Sequence, residues 1–277
     1  MVYLDSQSGI IRPTFSGIEA IFMISAIQLN DLGDGITQLV LNRPPVNAMS
    51  IEVLAELGET LDGLEADDSV KAIVVSSALG LFSAGLDLKE IKDFTNYEQT
   101  ALVDGLNSAF NRFYGCKKPV VAAINGAAVA GGMFFALAAD YTVAVEKSRF
   151  GLTEIKVGVN FPVAPYEIAK AELSPGSFRR VLLSGRLFKS DAALEMQIID
   201  EIVADDQLLE RAVAVAREYA GNPPMAYAAI KHQIRAEPLA KMQSAVDDLN
   251  DSTRGGWFTS ETTAAIDAIL ASSATKK

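Results

Sequence analysis

Pro119-Val120-Val121-Ala122-Ala123-Ile124-Asn125-Gly126-Ala127-Ala128-Val129-Ala130-Gly131-Gly132-Met133-Phe134-Phe135-Ala136-Leu137-Ala138-Ala139 is the longest stretch of this chain without a charged side chain. By length alone it could cross a bilayer. Asn125, Gly126, Gly131 and Gly132 interrupt it, so it reads as a buried strand over 120–124, a glycine turn and a short helix. Residues 72–75 form another short, β-branched run of the kind that is covered on both faces, and 141–145 a third. Helical patterns lie between them. Ser50 caps a helix that carries Ile51, Leu54, Leu61 and Leu64 on one side. Thr95-Asn96-Tyr97-Glu98 has the form of a capping box ahead of Leu102, Leu106, Phe110 and Phe113. Strand and helix alternate, which predicts an α/β core.

Working outward, 36–41 reads as a strand that stops at Asn42-Arg43-Pro44-Pro45. From Asp205 onward the pattern is helical only. Asp205-Asp206 suit a helix start and Gly221-Asn222-Pro223-Pro224 a stop. A further helix over 225–236 is expected to end near Pro238, with others over 239–250 and 260–270. The first 22 residues contain Gly9, Pro13 and Gly17, and lack the basic start and long apolar run of a secretory signal. Met23 is a second plausible start. The expected organisation is an N-terminal extension over 1–23, a core with the active site over 24–204, and a helical oligomerisation segment over 205–277.

The 277 residues carry a net charge of -11, which repels duplex nucleic acid and anionic membrane; neither is an expected partner. One cysteine and one histidine leave no disulfide framework and no Cys/His metal cluster, so no metal is expected. Cys116 reads as a small buried filler and His232 as a partly exposed helix residue. There is no G-x-S-x-G elbow and no G-x-G-x-x-G after a strand, and the glycines at 126–132 lack the Lys and Ser/Thr of a phosphate loop. With no targeting signal in view, a cytoplasmic location is expected.

Two glycine loops follow the first two buried strands: Phe82-Ser83-Ala84-Gly85-Leu86-Asp87-Leu88, and Asn125-Gly126 through Ala130-Gly131-Gly132. As residues, these glycines serve either tight turns and close packing or a pair of free amides aimed at one negative oxygen. A longer set of segments goes further. Leu39-Val40-Leu41-Asn42-Arg43-Pro44-Pro45-Val46-Asn47-Ala48, the 82–88 loop, Lys118 to Gly126, Ala130-Gly131-Gly132 to Asp140, Phe150-Gly151-Leu152-Thr153-Glu154-Ile155-Lys156-Val157-Gly158, Leu183-Ser184-Gly185 and Ile199-Asp200-Glu201-Ile202-Val203 occur in this order. Across roughly residues 30–205 the chain resembles the enoyl-CoA hydratase/isomerase (crotonase) superfamily.

That resemblance implies an α/β fold: a crotonase-like ββα spiral core with a C-terminal helical trimerisation segment, assembled as a homotrimer or a dimer of trimers. It implies an acyl-CoA thioester as substrate and no separate cofactor, coenzyme A being part of the substrate. It places the two oxyanion donors at the backbone N–H groups of Leu86 and Gly131. The Ala84 carbonyl would receive the adenine amine, with Gly85 and Leu88 in the same loop and Asp87 supporting it. Thr153 and Phe161 would lie along the substrate.

Hydratases of this family use two glutamates. One position is Glu154 here; the other is Phe134. A lone carboxylate beside a phenyl ring suits proton shuttling better than water addition. The pattern is similar to the Δ3,Δ2-enoyl-CoA isomerases of fatty-acid β-oxidation, with departures at Thr153, where asparagine is common, and at Ala130, where the first glycine of a triplet is usual. The expected reaction is 3-enoyl-CoA to trans-2-enoyl-CoA, with Glu154 as base. The alternatives are hydration or other thioester chemistry in the same superfamily, and a non-catalytic binding or scaffold relative.

Overall fold

The computed structural model describes residues 25–274. The extension expected over 1–23 lies outside them. In chain order the elements are β1 (Ile27–Asp31), β2 (Ile36–Leu41), α1 (Ile51–Ala66), β3 (Ala72–Ser77), α2 (Leu88–Ile91), α3 (Asn96–Gly115), β4 (Val120–Ile124) and β5 (Ala127–Val129). They continue with α4 (Met133–Ala138), β6 (Tyr141–Val145), β7 (Arg149–Gly151), α5 (Val163–Glu172), α6 (Pro175–Ser184), β8 (Phe188–Lys189) and α7 (Ser190–Glu195). The last are β9 (Glu201–Val203), α8 (Leu208–Ala220), α9 (Pro224–Asp247) and α10 (Ser260–Ala274).

One sheet has the order β1-β2-β3-β4-β6-β9, antiparallel at β1-β2 and parallel elsewhere. The central strands β3 and β4 are apolar on both faces because both faces are covered. In β3, Ile73 and Val75 join the large core with α1 and α3, whereas Ala72 and Val74 face the other way, onto Ala212, Val215 and Ala216 of α8. The period of two along a strand thus feeds two cores at once. A smaller sheet, β5-β7-β8, lies beside the first.

The predicted caps are present. Ser50 accepts from the Val53 N–H, and Thr95 and Glu98 form a complete capping box. Cys116 is a buried free thiol, pushed up from its ordinary value by burial, and His232 is exposed on α9.

Two expectations need correction. Residues 127–129 are not part of a glycine turn but a strand, paired with β7 and tied to the first glycine loop, where the Phe82 and Ser83 N–H groups both donate to the Ala127 carbonyl. Its partners come from distant sequence, and Ala-Ala-Val has no alternation to signal it. The helix after Pro223 does not stop at Pro238; α9 runs through it. A proline there forfeits one backbone bond and costs about 3 kcal/mol. Tertiary contacts on both sides outweigh that. Before it, the Lys231 ammonium donates to Asp140 Oδ2 at 2.6 Å and the Lys118 carbonyl at 3.1 Å. Arg235 donates to the carbonyls of Tyr114 at 2.8 Å and Ala139 at 3.1 Å and lies over the Tyr114 ring. After it, Met242 and Ala245 are buried, and α9 packs along α3 and α5.

Candidate active site

The segment after β2 is the frame on which the first glycine loop is built. Asn47 Nδ2 donates to the Phe82 carbonyl at 2.8 Å and to Ser77 Oγ at 2.7 Å, and Ser83 Oγ donates back to the Asn47 carbonyl at 2.8 Å. The Ala84 N–H donates to the Val46 carbonyl; the Met49 N–H donates to the Gly85 carbonyl and the Asp87 N–H to the Met49 carbonyl. Arg43 holds Asp87 at 2.9 Å and Glu90 at 3.3 Å, and Asp87 also accepts from the Lys89 N–H that opens α2. Asp87 is thus occupied in holding the loop.

The second glycine segment lies directly against the first. Gly85 has φ +86°, and a Cβ there would lie 2.8 Å from Ala130 Cβ and 3.0 Å from the Gly131 nitrogen. A Cβ on Gly131 would meet Met49 Cε at 2.3 Å, and one on Gly132 the Ser83 carbonyl oxygen at 2.5 Å. Close approach is therefore what these glycines provide. Ala130 has φ +50°, a left-handed conformation that costs a residue with a Cβ about 1–2 kcal/mol. Gly131 sits in a 3₁₀ turn over Ala130–Gly132, whose opening N–H groups have no partner within the turn. Among the described residues, the Leu86 N–H makes no backbone bond in the turns and loops, although its neighbours on both sides are engaged. Two unengaged amides on adjoining loops are the elements of an anion site.

Gly132→Ala should break this junction, because backbone rather than a flexible side-chain end stands in the way. A loss of about 1–3 kcal/mol is expected, typical of forcing extra volume into packed structure, and a thermal melt reads it. A variant as stable as the wild type would show that the loops can part.

The loops open onto a cavity of about 90 Å³. Ala84, Leu86, Leu88, Gly131, Phe134, Thr153, Glu154 and Phe161, all expected from the sequence, line it. Gly85 is buried behind the wall and Asp87 faces Arg43, so neither contributes to the lining. Phe134 packs edge-on to Phe161 at 6.2 Å and Phe110 at 5.6 Å, and Phe135 lies in the core among Phe82, Phe110 and Phe113. A broader groove of about 800 Å³, bounded by residues 62–71, 117–119 and 219–228, contains none of the expected site residues.

Among the described residues, Glu154 is the one titratable side chain in the cavity lining. It opens a 3₁₀ turn over Glu154–Val157 that Gly158 closes in the left-handed conformation. The residue is partly exposed, but its Oε2 is buried with no hydrogen-bond partner among the described residues. Burial pushes the carboxyl up to about 7, against backbone hydrogen bonds at Glu154 and Thr153 that pull it down.

The sequence reading missed one wall. Trp257, Phe258 and Ile266, from the C-terminal region of the same chain, complete the lining. The aromatic pair after Gly255-Gly256 is the only local mark of it. Nothing near it in the sequence points to Glu154.

Residues 31–253 match the family model for enoyl-CoA hydratase/isomerase. The chain belongs to the enoyl-CoA hydratase/isomerase family. Within that family it is 33% identical over 233 residues to "Probable enoyl-CoA hydratase echA17" of Mycolicibacterium paratuberculosis, covering 80% of this chain and 89% of the relative. It is 30% identical over 220 residues to human "Enoyl-CoA delta isomerase 1, mitochondrial", covering 78% and 73%. Among solved structures, human mitochondrial delta3-delta2-enoyl-CoA isomerase superposes with a TM-score of 0.80 at 26% identity, covering 91% of this chain and 99% of that one. The enoyl-CoA hydratase/isomerase from Xanthobacter autotrophicus Py2 gives 0.78 at 28% identity, covering 91% and 98%. The fold is therefore the mixed α/β crotonase-like fold, and the chain is an enzyme of that superfamily. An acyl-CoA thioester substrate is consistent with the family. Hydratase names predominate among the similar relatives, and isomerase names also occur. No helix among the described residues is long and apolar enough to cross a membrane.

Proposed function

We propose that this enzyme isomerises 3-enoyl-CoA to trans-2-enoyl-CoA, a reaction of fatty-acid β-oxidation. The observation that carries the proposal is that, among the described residues, a single carboxyl stands in an apolar cavity, with Phe134 where a hydratase would hold its second glutamate.

The thioester oxygen would lie between the N–H groups of Leu86 and Gly131. Donors so placed stabilise the charge that develops when C2 loses a proton, each worth about 3–4 kcal/mol at the transition state. The Glu154 carboxylate takes the C2 proton, and the C–H electron pair moves into a dienolate. The same carboxyl returns the proton at C4, the double bond settles between C2 and C3, and Glu154 is a carboxylate again. Nothing is consumed. A carboxyl titrating near 7 exchanges protons with little penalty in either direction at neutral pH. Because the base must start ionised, kcat/KM should rise with pH and level off above about 7.

Thr153 and Phe161 flank the acyl group in this reading, Ala84 meets the adenine, and coenzyme A enters and leaves with the substrate. The working assembly is a homotrimer or a dimer of trimers. Hydration is the second reading, favoured by the names of several relatives. The deciding experiment offers trans-3-hexenoyl-CoA and crotonyl-CoA side by side and follows the conjugated enoyl-thioester absorbance. Growth of that band from the first, without its loss from the second, supports isomerisation. Loss from crotonyl-CoA at a comparable rate overturns it in favour of hydration. Silence with both favours a different thioester reaction or a binding protein.

A further inference from the structure

The Glu154 carboxyl has no side-chain partner among the described residues that could aim it, so its direction depends on the backbone that carries it. That backbone is gripped from outside. The Trp257 indole N–H donates to the Asn160 carbonyl at 3.0 Å, and Thr262 Oγ1 donates to the Gly158 carbonyl at 2.9 Å. Trp257 is only 5% exposed, and its ring shares the cavity wall with Glu154.

The grip is itself anchored. Asp251 accepts from Asn107 Nδ2, the Val163 N–H and both donors of Thr253, all at 2.7–2.8 Å. Burial pushes the Asp251 carboxyl up, but these bonds outweigh it and hold the group below the usual carboxylate range. Arg254 forms a fork with Asp104, and the Phe258 N–H donates to Gln99 Oε1 at 3.0 Å. Residues 251–262 thus form a strap, fixed along α3 at one end and holding the turn of Glu154 at the other.

We infer that Trp257 is a positioning residue for the general base: its indole N–H holds Asn160, in the segment that leaves the turn of Glu154, and its ring keeps water from the carboxyl. The inference rests on the proposed reaction for its kinetic consequence, not for its geometry. The charged groups on the turn and on the helices packed against it are Lys156 in the turn, Arg179 and Arg180 on α6, and Glu261 and Asp267 on α10, and all are exposed. The single histidine of the chain, His232, is on α9 and does not line this cavity.

Trp257→Phe keeps most of the ring and removes the donor. Misplacing a reacting group by a fraction of an ångström is costly, so kcat on trans-3-hexenoyl-CoA should fall about tenfold or more with KM nearly unchanged. The acid limb of the kcat/KM–pH profile should move from near 7 toward lower pH, because water admitted beside the carboxyl weakens the effect of burial. A role in folding alone would lower the melting temperature and leave that limb in place. An active wild type with an unchanged kcat and limb in the variant overturns the inference.

A second measurement needs neither the variant nor turnover. Trp257 is the only tryptophan in the chain, so its emission is unambiguous. Between pH 5 and 9 the wild-type emission should titrate with a midpoint near 7, and the transition should be absent in Glu154→Gln. A flat wild-type titration overturns the inference. If the wild type isomerises nothing, the reaction proposed above fails, and the emission titration alone decides the role of Trp257.

Discussion

Glu154→Gln is expected to lose about 10³-fold in isomerisation while still binding acyl-CoA, the scale on which a positioned general base contributes. The amide keeps the shape of the side chain and cannot accept and return a proton. The same variant should be more stable than the wild type above neutral pH. The carboxyl moves from an ordinary 4.5 to about 7 on folding, so the unfolded chain ionises at a lower pH than the native one. Below about 4.5 both states hold the proton and nothing is lost. Between 4.5 and about 7 the unfolded state alone is charged, and stability declines as pH rises; above about 7 the full penalty, about 3 kcal/mol, is present. Glutamine removes it. Melts at pH 4.5 and 8.5 should therefore agree with the wild type at the first and exceed it at the second. Substantial residual turnover, or a variant less stable at pH 8.5, would contradict the role and the burial respectively.

Asp140→Asn is expected to be the most damaging small substitution away from the cavity. Asp140, Lys231 and Arg235 have side chains only 8%, 8% and 6% exposed, and they are the junction between α9 and the core. Asparagine removes the charge and leaves two buried cations. Among the described residues, the carboxylate left in reach is Glu172, 3.9 Å from Arg235. Stranding buried charge costs about 3–5 kcal/mol, because each ion has given up water for a partner that is no longer there. For comparison, Lys231→Met removes one cation and leaves Arg235 paired with Asp140 at 3.1 Å, so its loss should be smaller. Denaturant titration of the three proteins orders them. Asp140→Asn within about 1 kcal/mol of the wild type, the span of a solvated pair, would show that water reaches this junction.

Where a signal is local, the chain was readable. Ser50 and Thr95 cap the helices they were expected to cap, and the runs at 72–75, 120–124 and 141–145 are strands largely covered on both faces, the hydroxyl of Thr142 being satisfied by the Ala136 carbonyl. Glu154 and Phe134 stood out by resemblance, since two positions separate the carboxylate sets of the family. The contact between Gly85 and Gly131 had no local signature: glycine announces freedom but not its partner. Pro238 misled for the opposite reason, its backbone penalty being local and the buried pairs that offset it lying more than 90 positions away in sequence. Trp257 belongs to the same class. Its hydrogen bond to Asn160 spans 97 positions, and no window of sequence contains both.

That separation sets a timetable. The bonds that draw residues 251–262 over the cavity close loops as wide as 144 to 159 positions, between Asn107 and Asp251, Asp104 and Arg254, and Gln99 and Phe258. Long loops are entropically costly to close and are rewarded only once the surfaces they join exist. The sheet and α3 should therefore assemble first and the roof last. In stopped-flow refolding, Trp257 emission should reach its native value after the far-ultraviolet ellipticity does; the reverse order would place the roof in the nucleus. Until it closes, Glu154 is an ordinary wet glutamate on a finished scaffold. The chain becomes a protein before it becomes an enzyme.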